Sequence, residues 1–381
     1  MQIAVISTIN HNPGDDFIRY GQEYLIRKVL PDPVFDIIHK HDPRTVFRNF
    51  DRKTAMGVVH PRSASTQYAI YEQFSRSKGR NIVEEADIVL FAGTPFIWAQ
   101  KTRVAPAYSG NAEWAGPIWR RLFSRWTDKP VLNLAAGTSI ATANDLPRVL
   151  ATRKLTGFLT QAYRRAAWTT SRDRLGVKVA RALGFEVPML PCTSLWAAQG
   201  AGIAPGPEDY IAVNLMRHAV HRKRGTHTES AHWKQMARIL VRELRAHGDI
   251  LIIAHDEDEL AVAEQWFPEH ERFYSQDPKQ LLSAYGRARL GVCNRVHGAA
   301  ALAAFDRPAL VIGGDTRVDL ISQFGLPAVG HAELTEAKLI GHVEDLIENA
   351  TSYTQAVRSK RQETEAAYIQ GIERAIEPVV E

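Results

Sequence analysis

The feature that most constrains the fold is a strand–helix alternation that runs, stops in a Gly/Pro/Ala-rich stretch, and starts again. Short apolar, β-branched runs at 2–8 (QIAVIST), 34–39 (VFDIIH), 87–93 (DIVLFAG), 130–137 (PVLNLAAG) and 166–173 (AAWTTSRD) read as strands. A helix is expected over 15–30, where Phe17, Tyr20 and Tyr24 fall near one face, and another ending at Gly184. The stretch AAQGAGIAPGPED (197–209) then reads as a linker. After it, strands are expected at 209–216, 249–256, 289–294 and 309–315, separated by helices at 228–246, 256–267, 277–286, 297–305 and 315–324. Strands alternating with helices imply βαβ units and parallel sheets. The expected fold is therefore α/β, with two Rossmann-like domains facing a cleft. The units are residues 1–200, 209–345 and a helical segment 346–381 that packs back.

Composition narrows the class. Of 381 residues, 45% are hydrophobic and 23% charged, which is ordinary for a globular chain with a large core. No apolar run approaches the length of a membrane span. The start, MQIAVISTINHNPGDD, lacks the basic and apolar blocks of a secretory signal, so a cytoplasmic location is expected. Two cysteines, Cys192 and Cys293, cannot build a metal cluster and fit a reducing compartment; no metal-ligand spacing is apparent. A net charge of +5 fits an anionic small substrate or a membrane surface and is too weak to argue for nucleic acid.

Ligands of open α/β sheets bind beyond the carboxyl ends of the strands, so the residues after each strand are the candidates. After 2–8 comes NHNPGDD: Gly14 would let a ligand approach the helix start, and Asp15 or Asp16 is either a cap or a base for a hydroxyl. After 87–93 comes a long connection carrying Trp98, Tyr108, Trp114 and Trp119, which either stacks on sugar rings or packs on the core. After 166–171 come Arg172 and Asp173, the latter a helix cap. After 209–216 comes a basic loop, Arg217 to Arg224, either solvated or facing an anion. After 289–294 come Arg295 and His297. In extended backbone these would point the same way, with Gly298 opening the helix start, giving an anion site with an imidazole proton donor. The competing reading is a buried structural histidine.

Several segments together resemble the polysaccharide pyruvyl transferase family: NPGDDFI, ADIVLFAGTPFI, TSRDRLGVKVARALG, ILIIAHDEDE, and above all CNRVHGAAALAAFDRPALVIGGDTRVDLISQFGLP. Ala92 departs from the pattern, standing where a glycine is frequent, and Pro13 sits inside the family's Asn-x-Gly-Asp turn. The resemblance implies a GT-B-like fold and transfer of the pyruvyl group of phosphoenolpyruvate to sugar hydroxyls, with no cofactor. It implies His297 as the catalytic histidine and places Asp15 in the family's Asn-x-Gly-Asp turn, where its carboxylate is the second catalytic candidate. Arg295, Arg172, Arg217, Gly298 and Asn294 fall on the donor side. Asn12, Gly14, Thr94, Trp98 and Trp114 fall on the acceptor side. The expected acceptor is a sugar or lipid-linked saccharide, with peripheral membrane contact. Two alternatives stay open. One is a nucleotide-sugar glycosyltransferase, suggested by FGLP (324–327). However, Gln323 and Gly330 stand where acids would be wanted, and Glu336 and Glu344 come later. The other is a non-catalytic glycan binder.

Overall fold

The computed structural model describes residues 1–10, 12–40, 43–47, 81–92, 95–99, 104–106, 115–140, 143–218, 230–314, 316–331 and 334–380. Strands are β1 (Gln2–Ser7), β2 (Val34–His39), β3 (Ile88–Phe91), β4 (Pro95–Ala99), β5 (Val104–Pro106), β6 (Val131–Ile140) and β7 (Trp168–Ser171) in the first half. The second half holds β8 (Tyr210–Asn214), β9 (Ile250–Ala254), β10 (Glu271–Tyr274), β11 (Ala288–Cys293), β12 (Ala309–Gly313) and β13 (Ala328–Gly330). Helices of eight or more residues are α1 (Pro13–Val29), α2 (Ala115–Ser124), α3 (Arg153–Arg165), α4 (Arg174–Ala182), α5 (Ser230–Arg245), α6 (Glu257–Trp266), α7 (Pro278–Gly286), α8 (Val296–Ala303), α9 (Glu336–Glu348) and α10 (Ala350–Val380). No helix among the described residues is long and apolar enough to cross a membrane.

Two sheets result. The first has the order β2-β1-β3-β6-β4-β5, with β7 also on β6; its pairs are parallel except β4 with β5. The second, β10-β9-β8-β11-β12-β13, is parallel throughout. In each, the strand order reverses beside the first strand, between β1 and β3 and between β8 and β11. Ligands of such sheets sit at these switch points. The chain's own chemistry explains the local elements. Helix α1 opens with Pro13 at its first position and Asp15 and Asp16 in its first turn, favourable with respect to backbone donors and helix dipole. Helix α8 is rich in Gly and Ala and packs close: a Cβ at Gly298 would come within 2.8 Å of both Cys293 Sγ and the Tyr285 hydroxyl. Gly298 thus serves close packing, where open space for a ligand was expected.

Several expectations are corrected. The long connection after β3 is partly structured: β4 extends the sheet against the second half of β6, and α2 follows. Strands β10 and β13 were not anticipated, and the expected helix at 315–324 is a short 3-10 turn at Thr316–Val318 followed by Asp319–Ser322. The expected linker begins with a helical turn, Ala197–Ala201, that packs on α1; Gly202 ends it in the left-handed region at φ 70°.

The two halves share a packed core. Phe17 and Ile18 of α1, Trp196, Tyr285, Ala299 and Ala300 of α8, and Tyr368 of α10 belong to one buried cluster. Helix α10 straps both halves. Its Tyr368 hydroxyl donates to the Pro191 carbonyl at 2.8 Å, and its Arg361 meets Asp306 at 2.7 Å.

Candidate functional site

The strand-end reading of Arg295 and His297 has to be revised. β11 ends at Cys293, Arg295 is the extended N-cap residue of α8, and His297 already lies in the helix. The two side chains therefore diverge. The Arg295 guanidinium meets Asp256 and Glu259 at the start of α6. Glu259 is buried and also accepts from the Asn214 amide at 2.9 Å and the His255 peptide N–H at 2.8 Å. Asn294, expected on the donor side, has its amide committed to backbone: it accepts from Met216 N–H and donates to the Ile312 carbonyl, both at 2.9 Å.

His297 turns toward the first half. A Cβ on Gly14 would overlap its imidazole, so the missing side chain of Gly14 makes room for His297, where room for a ligand was expected. Behind Gly14 lies Asp15, buried, with the Thr8 and Asn12 side chains beside its carboxyl. Arg172, one residue beyond β7, is also buried and passes over Gly137, where a Cβ would clash with it. Its Nη1 lies 3.7 Å from the Cys192 thiol. Its neighbour Asp173 is spent as a cap, accepting from Gly176 N–H at 2.7 Å and Thr138 N–H at 2.6 Å. The halves are tied across this region by the Thr316 hydroxyl donating to the Ile140 carbonyl at 3.0 Å and by the Gln323 amide donating to the Arg172 carbonyl.

The electrostatics follow from this closeness. Burial pushes the His297 imidazole well below its ordinary pKa, and Arg317, Arg172, His255 and Arg295 push it further. This environment favours the neutral imidazole at neutral pH. Burial raises the Asp15 carboxyl, with Lys40, Thr8, Arg172 and Asn12 partly offsetting it. Lys40, directly after β2, and Arg317, in the turn after β12, are site residues that sequence reasoning passed over. The strand-end rule itself could have found both. A buried imidazole, a buried carboxyl and cations from both halves meet at the two switch points. Such a constellation can hold a small polyanion and move a proton.

The remaining candidates are dispersed. Arg217 is exposed and bonds Gln265 at 3.2 Å. Trp119 is core, stacked on Phe91 with centroids 4.2 Å apart. Trp98 lies on β4. Thr94, Tyr108, Trp114 and the loop from 219 to 224 fall outside the described residues. An opening of about 990 Å³ around Tyr210, Ile250, Glu271 and Arg287 lies at the amino ends of the second sheet, the end where such sheets do not bind ligands.

The family model for polysaccharide pyruvyl transferase matches residues 12–316. No curated protein matches the chain. Solved structures that match are GT-B fold proteins. One is the Staphylococcus aureus MnaA–UDP structure: TM-score 0.51, 12% identity, covering 93% of this chain and 90% of that one. Another is UDP-GlcNAc 2-epimerase from Neisseria meningitidis bound to UDP-GlcNAc: 0.51, 11%, 94% and 94%. A third is the Methanocaldococcus jannaschii UDP-GlcNAc 2-epimerase with UDP-GlcNAc and UDP: 0.51, 11%, 96% and 99%. At these identities the likeness establishes the fold alone.

Proposed function

The chain belongs to the polysaccharide pyruvyl transferase family, and from that premise we propose that it transfers the pyruvyl group of phosphoenolpyruvate to two hydroxyls of a sugar, leaving a cyclic ketal. The observation that carries this reading is the pair of cations drawn from both halves around a buried imidazole, Arg172 and Arg317, with Lys40 beside the adjoining Asp15 carboxyl. Phosphoenolpyruvate has a phosphate and a carboxylate, and guanidinium groups suit both.

In the proposed mechanism His297 gives a proton to the methylene carbon, and C2 becomes cationic. A sugar hydroxyl attacks C2 and passes its proton to Asp15, whose raised pKa makes it a stronger base than an ordinary carboxylate. The C2–O bond to phosphate breaks, a second hydroxyl closes the ring, and the remaining proton leaves with phosphate. His297 must first be protonated, although its burial and the surrounding cations favour the neutral form. The donor answers this need in part: burial depresses the imidazole most, and the donor's negative charges offset the further push of Arg317, Arg172, His255 and Arg295. Donor binding should therefore be accompanied by proton uptake. A location at the cytoplasmic face of a membrane, with a lipid-linked acceptor, belongs to the same proposal.

The nucleotide-sugar reading draws on the fold relatives, two of which are epimerases bound to UDP-GlcNAc. Against it, Gln323 beside the FGLP turn is bonded to the Arg172 carbonyl, where an acid would be wanted for a ribose. The test is thermal stabilisation without added metal. Phosphoenolpyruvate should raise the melting temperature, by about 2.7 kcal/mol of stability at a hundred times its dissociation constant, and the effect should shrink with salt. A shift with a UDP-sugar and none with phosphoenolpyruvate overturns the proposal.

A further inference from the structure

A second cavity, about 530 Å³, lies between the start of α1 and the starts of α6 and α7, at the carboxyl ends of β1, β9 and β10. That volume is within the range of small-molecule pockets, roughly 300–1,000 Å³. Its wall includes Asp16, His255, Glu257, Asp258, Tyr274 and Ser275. Pro13 also lines it, while the next residue, Gly14, touches His297. The cavity therefore adjoins the cationic site, yet its own charges are negative.

The inner wall carries the informative group. His255 is 6% exposed, and its Nε2 lies 2.6 Å from the Tyr285 hydroxyl, but its Nδ1 has no hydrogen-bond partner. A buried polar atom without a partner is costly, and is commonly kept where a ligand supplies the partner. With the Tyr285 phenol donating to Nε2, Nδ1 carries the hydrogen and can donate to a neutral oxygen. The rim supplies carboxylates and hydroxyls, which accept from and donate to sugar hydroxyls. A metal is not the occupant this set suits, since among the described residues no three acidic or imidazole groups are arranged to hold one.

We infer that this cavity is the acceptor subsite and takes an uncharged, hydroxyl-rich sugar, with His255 in its inner wall and Glu257 and Asp258 at its mouth. The inference rests on the pyruvyl-transfer reading for the role of that sugar, and it moves the acceptor away from the aromatic connection after β3. The acidic rim separates the two substrates by charge. Phosphoenolpyruvate is repelled from the cavity and drawn to the arginines, and sugars bearing a carboxylate are disfavoured.

The test uses the full chain and ligand-observed NMR titration with methyl glucoside, methyl galactoside, methyl mannoside and methyl glucuronide. At least one neutral glycoside should bind saturably, and the glucuronide should bind at least tenfold more weakly. Glu257→Gln with Asp258→Asn, at exposed positions, should weaken the preferred glycoside about tenfold, the size of one charge-assisted hydrogen bond. The phosphoenolpyruvate-induced melting shift should be unchanged. His255→Phe should abolish glycoside binding, but it also breaks the Tyr285 contact, so the exposed pair is the cleaner variant. The inference is overturned if no glycoside binds, if the glucuronide binds as well as the neutral sugars, or if the exposed pair leaves affinity unchanged. A phosphoenolpyruvate shift without glycoside binding removes the subsite alone. Glycoside binding without a phosphoenolpyruvate shift supports the cavity as a sugar site and sinks the transfer reading.

Discussion

Arg172 follows β7 in the first half, and Arg295 follows β11 in the second; both reach the interface between the halves from the carboxyl end of a parallel strand. Arg295 arrives into carboxylates, Asp256 and Glu259, that come from the start of α6. Arg172 arrives beside a thiol, its following acid spent on a helix cap. Burial works against the charge of Arg172, and Cys192, Asp173 and Asp15 more than offset it. Strand-end position thus delivers a cation to the site. Whether that cation is available to an anion is decided by acids arriving from elsewhere in the chain.

The comparison breaks most directly at the two arginines themselves. Arg295→Met should be mainly a stability variant, because it strands Glu259, which is 3% exposed, without its partner. Removing one member of a buried pair typically costs about 3–5 kcal/mol. Arg172→Met should be mainly a binding variant, with phosphoenolpyruvate affinity lost by the roughly 1.5–3 kcal/mol of a charged hydrogen bond, about 10- to 150-fold. Denaturant unfolding and donor titration on both variants check this. Equal stability losses, or a larger donor effect at Arg295, would reverse the assignment of the two arginines.

A smaller effect is expected at the contact that joins the halves. Gly14→Ala should displace the His297 ring, since the added methyl overlaps it. Overpacking of this kind costs about 1–3 kcal/mol. The informative part is the split between stability and turnover. Gly21→Ala is the control: two turns further along α1, it would meet the Thr193 carbonyl and not His297. Both should lose stability. Only Gly14→Ala should lose turnover beyond that loss, measured on the folded fraction.

Much of this was readable from the chain, and the gaps have physical reasons. β1, β8, β9, β11 and β12 are continuous apolar runs because parallel strands are covered on both faces. β10 reads ERFY and sits at a sheet edge, half-exposed, without that signature; β13 has three residues. The strand-end rule found Asp15, Arg172 and His297. It also found Arg295, but the acids that occupy its charge lie in HDEDEL, on a neighbouring strand's helix, a pairing no local pattern carries. The Gly14–His297 contact is likewise invisible in sequence, because it exists only once the halves close on each other. For the same reason both glycines were read as room for a ligand, when each makes room for the protein's own side chains.

The last prediction separates the two sides of the site by the sign of their pH dependence. His297 and His255 are both pushed well below the ordinary imidazole range, first by burial and then by neighbouring cations: Arg317, Arg172 and Arg295 around His297, and Arg295 beside His255. Below about pH 6.5 the unfolded chain protonates them and the folded chain does not. The unfolded state then binds more protons, so stability rises with pH up to about 6.5 and levels off above it. Each histidine contributes up to about 1.4 kcal/mol per pH unit. Asp15, Asp16 and Glu259 are raised by burial, so they work in the opposite direction: the folded chain holds protons that the unfolded chain has released above about pH 4, and stability falls as pH rises through that window. The summed profile hides both contributions, and a difference measurement exposes one. Subtracting the His297→Gln profile from the wild type between pH 5 and 6 should leave a positive slope approaching one proton. Saturating phosphoenolpyruvate should flatten that difference, because the donor lets the folded protein keep the proton on His297. A difference slope of zero in the empty protein would mean that His297 is as easily protonated in the fold as in water. The cations around it would then not act on it, and the donor would have nothing to reverse.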